Sequence, residues 1–183
     1  MNGSKEQLIS LLKDKYDYEL NRKESYESAL GTPIAVLSAL FAGIYFICSD
    51  DKLKSIACSL NTFKWLLLTL LMIGCSLSII MLFVVYFGFK RSYCLFPESS
   101  IVYNTDYKEL EKYANEHHPE NSEAKLQELL NERVIVWYVD CNTNNTKVND
   151  RRGNALYYAK LFLCISLSIG LILLIMISLI KAI

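Results

Sequence analysis

The residues of this chain that could do chemistry are scattered rather than clustered. His117 and His118 are adjacent, so on a helix they leave in different directions and do not close on one metal ion; they read as a solvated helix end before Pro119. Asp50-Asp51 and the Glu109/Glu111 pair read as solvated charges. The six cysteines, at 48, 58, 75, 94, 141 and 164, contain no C-x-x-C pair. Cys75 and Cys164 fall inside apolar runs, where cysteine behaves as a small hydrophobe, and Cys48 and Cys58 flank one polar link, where they are expected to stay free. No Gly-rich phosphate loop, Walker motif or G-x-S-x-G elbow is present. The sequence therefore points away from an enzyme, and it nominates no catalytic residue, cofactor or metal site. Nineteen basic residues cancel nineteen acidic ones, which gives no support to a nucleic-acid partner. What remains is a set of hydroxyls (Ser38, Thr69, Ser76, Ser78, Ser166 and Ser168) that, with backbone carbonyls, could line a pore.

All of these hydroxyls lie in apolar runs, and those runs define the chain. Between Lys64 and Lys90 there is no Asp, Glu, Lys, Arg or His. At about 1.5 Å per residue, that run exceeds the roughly 30 Å hydrocarbon core of a bilayer. Fifteen Leu, Ile, Phe and Val residues between Leu66 and Phe89 favour insertion by about 6 kcal/mol in total. Trp65 with Lys64 at one end, and Tyr86, Lys90, Arg91 and Tyr93 at the other, suit the two interfaces. A first span covers residues 33–48, opened by Pro33, whose missing N–H is harmless in a first helical turn. A second covers 65–89, completing a hairpin within 33–90, and a third covers 156–183, with Tyr157, Tyr158 and a snorkelling Lys160 near its start. No span carries Asp, Glu, Arg or His, which argues against an ion-coupled transporter. Ala35, Ala39 and Gly43 recur every four residues, and Ser166 and Gly170 do the same in the last span; small residues so spaced let helices approach closely, within a chain or between copies.

The polar segments read as helical. Residues 1–32 form an amphipathic helix, capped by Ser4, with Leu8, Leu12, Tyr16, Leu20 and Tyr26 at helical spacing. Its mixed charge favours packing against another helix over lying on a membrane. No apolar h-region precedes it, so no cleavable signal peptide is expected. Residues 49–62 form a brief polar link. In the 91–155 region, Pro97 breaks an irregular stretch, Asp106 caps a short helix that stops near His117, and Ser122 caps a longer one. Glu132–Asp140 alone could pass for a strand, but a single strand has no partner to pair with. Five asparagines and a glycine make residues 142–154 look like a loop. Yet Val134, Trp137, Cys141, Asn145, Val148 and Arg152 keep one helical face, so the reading taken is one long helix running into the third span. Asn142, Asn145 and Asn149 would then face neighbours, and Trp137, Asn145, Asn149 and Arg152 would couple a signal to the span. The fold class is thus all-α, an integral membrane protein with three spans.

Five Lys/Arg in residues 1–32 and ten in 90–160, against three in the 49–64 link and one at Lys181, place the N-terminus and the central region inside and the C-terminus outside.

Two stretches, YDYELNRKESYESALGTPIAVLSALFAG and VDCNTNNTKVNDRRGNALYYAKLF, resemble small bacterial membrane proteins of phage-defence and nucleotide-signalling operons, the SLATT-like and Pycsar-type transmembrane effectors. Together they cover about a third of the chain. The resemblance implies a homo-oligomer in the bacterial inner membrane that perturbs or permeabilises the bilayer. Its helices would answer a cytoplasmic protein or nucleotide signal. SLATT-type proteins generally have a two-span hairpin, and this chain has a third span. The competing reading is an anchor that recruits a soluble partner.

Overall fold

The computed structural model describes residues 2–49, 58–87 and 92–182. Among them there is no strand. The elements are α1 (Asn2–Ser28), α2 (Gly31–Ser49), α3 (Cys58–Phe87), a short α4 (Ser99–Ile101) that continues as a π-helical segment (Val102–Tyr107), α5 (Lys108–His117), a 3₁₀ turn (Pro119–Asn121) and α6 (Ser122–Ala182). Most of the 49–62 link, and the basic residues Lys90 and Arg91, lie outside the described residues.

The helix boundaries depart from the sequence reading in three places. α1 starts at Asn2, so Ser4 lies inside the helix rather than capping it. The helix expected to begin at Asp106 begins at Ser99, and Asp106 sits in the π segment with its carboxylate 3.5 Å from Arg133. Ser122 has helical dihedrals, φ −58° and ψ −42°, not the extended backbone of an N-cap, because the preceding 3₁₀ turn already feeds the chain into the helix. Only the two residues Ala29 and Leu30 separate α1 from α2.

α6 is continuous for 61 residues, so the asparagine-rich segment is helix rather than loop. Asparagine is a poor helix former because its amide competes for nearby backbone groups. Here the amides of Asn142, Asn145 and Asn149 are engaged by other parts of the fold, which removes that competition.

The chain divides into two compact units. Residues 1–23 and 90–150 form a polar unit, and residues 24–89 and 151–183 an apolar one. The apolar unit packs α2, α3 and the C-terminal part of α6 around Leu30, Leu37, Leu71, Cys75, Leu82, Val85, Ala155, Ala159 and Leu163, with a second cluster of Ile47, Leu67, Leu68, Leu173 and Ile177. Small residues set its spacing. A Cβ on Gly74 would collide with the Ser166 hydroxyl, and a Cβ on Gly170 would already touch Leu40 at 3.6 Å. Buried Ser78 donates to the Ala159 carbonyl at 2.9 Å, tying α3 to α6. The outside of this unit is as apolar as its inside: Tyr45, Phe46, Leu66, Ile73, Phe83 and Leu171 are exposed. Three helices are long and apolar enough to cross a membrane.

Candidate functional site

The polar unit is organised around one carboxylate. Glu19 of α1 is fully buried. On α1, Leu12, Tyr16, Glu19 and Lys23 follow the alternating three- and four-residue spacing of one helix face, so the charge stands where an apolar residue would complete the stripe. Four side chains answer it. Asn149 donates at 2.8 Å, Thr146 at 2.9 Å, Lys15 at 2.6 Å and Arg22 at 3.0 Å. The Asn149 amide also donates to the Glu19 backbone carbonyl at 2.8 Å, and Arg22 reaches on to Asp150 at 2.8 Å. Burial pushes the Glu19 carboxyl up, but hydrogen bonds from Asn149, Lys15 and Thr146 and the charge of Arg22 outweigh it and hold the group below its ordinary value. A carboxylate held ionised in this way is a structural counter-ion and is poorly suited to general acid catalysis.

Beside it, the segment 92–98, which is neither helix nor strand, is strapped to α6 by side-chain amides. Asn145, fully buried, acts as a second peptide group: its Oδ1 accepts from the Cys94 N–H at 2.8 Å and its Nδ2 donates to the Cys94 carbonyl at 3.0 Å. Asn144 donates to the Ser92 carbonyl at 2.6 Å, and the Tyr93 hydroxyl donates to Asn149 Oδ1 at 2.7 Å. The Phe96 N–H donates to the Tyr16 hydroxyl at 3.2 Å, and its ring meets Trp137 and Tyr138 at centroid distances of 5.2 and 5.0 Å. Cys94 and Cys141 are joined by a disulfide, with Cα atoms 4.7 Å apart. Asn142 donates to the Leu12 carbonyl at 2.9 Å, a further link between α6 and α1. Side chains thus meet both backbone groups of Cys94, the Ser92 carbonyl and the Phe96 N–H.

Of the four residues nominated for signal coupling, Trp137, Asn145 and Asn149 come together in this cluster. Arg152 belongs to the apolar unit, where it is 2% exposed. Its Nε donates to the Val85 carbonyl at 3.0 Å, in the last turn of α3, where a cation complements the helix dipole. Its guanidinium also lies 3.5 Å from the Glu27 carboxylate and over the Tyr26 ring at 5.8 Å. The nominated packing residues divide as well. Ala35, Ala39 and Gly43 are exposed, and a Cβ on Gly43 would meet nothing within 4 Å. Ser166 is used up inside the unit against Gly74. Ala39, Gly43 and Gly170 line an open groove of about 350 Å³ with Leu40, Ile44 and Leu171.

Sequence reasoning missed Glu19, Arg22, Tyr93 and the Cys94–Cys141 pair. Glu19 had a signal in its place on the stripe; the cysteines, 47 residues apart, had none. Cys48, Cys75 and Cys164 are free thiols. Among the described residues no three His, Cys, Asp or Glu side chains gather to hold a metal ion. No protein-family model, curated protein or solved structure matches the chain.

Proposed function

We propose that this chain is a bacterial inner-membrane effector that oligomerises and permeabilises the bilayer in antiviral defence, under the control of its cytoplasmic helices. Its N-terminus lies inside and its C-terminus outside, with three spans in lipid, where the exposed apolar surface around Phe46, Ile73 and Leu171 is covered by acyl chains. The observation that carries the reading is the continuity of α6: one helix holds both the amide cluster and the third span. A cytoplasmic protein or nucleotide signal that repacks Asn145 and Asn149 acts on the span through the same backbone, since a signal biases only states it contacts differently. The open Ala35/Ala39/Gly43 face supports close contact with a second copy.

Expression under activating conditions, including phage infection, is expected to collapse membrane potential, read with a potential-sensitive dye. Asn145→Pro breaks the helix between signal and span and is expected to abolish that collapse while leaving insertion intact. A wild type that leaves membrane potential unchanged under every such condition gives way to the anchor reading. The anchor is favoured by a separate observation: Leu11, Tyr18, Val136 and Val139 of the polar unit are exposed and apolar, as a docking face for a soluble partner would be.

A further inference from the structure

We infer that Cys94 and Cys141 form a thiol modification site, a redox lock on the segment 92–98, and that this lock regulates the effector. The inference rests on the proposed function for its placement: the basic residues put this region in the cytoplasm, where glutathione and thioredoxin keep most cysteines reduced. A disulfide there is a reversible state rather than a permanent staple. The geometry supports both states. In the clasped arrangement the two Cα atoms are 4.7 Å apart, inside the range a disulfide bridges without backbone movement. The clasp also has its own holdfasts, because Asn145 pairs with both backbone groups of Cys94, Asn144 and Asn149 hold Ser92 and Tyr93, and Phe96 packs on Trp137. In the dithiol form the segment is therefore kept in place by contacts that can open, and the thiols stay close enough to react. In the disulfide form it is tied covalently to α6 beside the two asparagines through which a signal is proposed to act.

The oxidant is a hydroperoxide. The half-buried Cys94 thiolate attacks the peroxide oxygen, giving a sulfenic acid and releasing an alcohol, or water from hydrogen peroxide. The buried Cys141 sulfur then attacks the Cys94 sulfur, forming the disulfide and expelling water, so two thiols lose two electrons and the peroxide gains them. A dithiol reductant reverses the step by exchange. Oxidation stabilises the clasped arrangement, and reduction permits its release.

The test uses the full chain in bacterial membranes. Cells are quenched in acid before and after a hydrogen peroxide pulse, free thiols are alkylated, and the 94–141 linkage is read by peptide mapping. The expected result is mostly dithiol at rest, mostly disulfide after the pulse, and dithiol again on recovery. Limited proteolysis within 92–98, on inverted membrane vesicles, is expected to be about tenfold slower or more in the oxidised form. Cys94→Ser and Cys141→Ser should each remove that redox dependence. A linkage fully oxidised in unstressed cells makes the disulfide structural and overturns the lock. So does a pair that never links, or a cleavage rate indifferent to redox state. Redox-dependent cleavage with membrane potential untouched under every activating condition upholds the lock and overturns the effector.

Discussion

The two units solve the same packing problem with opposite chemistry. Along α6 every seventh residue faces inward: Asn145 in the polar unit, then Arg152, Ala159, Ser166 and Leu173 in the apolar unit, all of them 2% exposed or less. In the polar unit the buried position carries an amide that pairs with a backbone, and the neighbouring Asn149 serves a buried carboxylate. In the apolar unit the positions after Arg152 are small or aliphatic, and the register is set by size, Gly74 against Ser166. The difference fits the surroundings proposed for each unit. Facing water, a buried donor left unpaired is costly, so hydrogen bonds choose one arrangement among many. In lipid, where the proposed function puts the three apolar helices, apolar burial discriminates little between partners, and close fit has to choose.

The sharpest way to break this contrast is to remove the carboxylate. Glu19→Ala leaves Asn149, Thr146, Lys15 and Arg22 without their common partner. Lys15 and Arg22 can turn to solvent, but the donors of Asn149 and Thr146 lose a buried acceptor at about 1–3 kcal/mol each, so the polar unit should lose a few kcal/mol while the apolar helices persist. Proteolysis of residues 92–150 in vesicles, with the membrane-embedded fragments recovered intact, is the expected result; equal loss of both units would remove the contrast.

The mirror experiment overfills the apolar unit. Gly74→Leu drives a side chain into Ser166 and should destabilise by about 1–3 kcal/mol in detergent unfolding. Gly43→Leu meets open space, so the fold is expected to tolerate it. Its effect should instead fall on crosslinked oligomer size, and an unchanged oligomer would exclude the Ala35/Ala39/Gly43 face as the contact.

Acid sharpens the same comparison. Because Glu19 is held below its ordinary value, its stabilisation is complete above the unfolded-state pKa of about 4.3 and fades as pH falls through the lower folded value. The polar unit should open on acidification toward that range, as followed by hydrogen exchange. Glu19→Gln should flatten this component of the pH profile.

These regions were not equally legible in the sequence. The three apolar helices announced themselves, because a charge-free run long enough to cross lipid, such as that between Trp65 and Phe87, seldom occurs in a chain that stays in water. The stripe through Cys141, Asn145, Val148 and Arg152 was visible as spacing, although the composition around it spoke for a loop. What the amides pair with was not visible. Asn145 pairs with a segment 51 residues earlier, and no local pattern encodes such a contact. Glu19 was hidden by habit rather than by physics, since a carboxylate among tyrosines and basic residues reads first as solvated. The starts of the helices at Ser4, Asp106 and Ser122 failed for a plainer reason: a capping residue type marks where a helix can begin, and here the helix or its 3₁₀ lead-in begins earlier.

The smallest expected effect tests the contrast at a single hydrogen bond. Ser78 donates to the Ala159 carbonyl across the apolar unit, and Asn142 donates to the Leu12 carbonyl across the polar one, at the same 2.9 Å. Distance alone would make them equal. In the bilayer proposed for these helices, however, the unfolded chain remains helical and a serine hydroxyl can turn to its own helix, as Ser168 does to the Cys164 carbonyl at 3.0 Å. Ser78→Ala should therefore cost only about 0.6 kcal/mol, the usual worth of such a bond within a membrane. Asn142→Ala gives up a bond of about 1 kcal/mol and also empties a buried position. Thermal unfolding of both variants in one detergent should place Asn142→Ala clearly below Ser78→Ala. The reverse order would mean that hydrogen bonding, not fit, sets the register of the apolar helices.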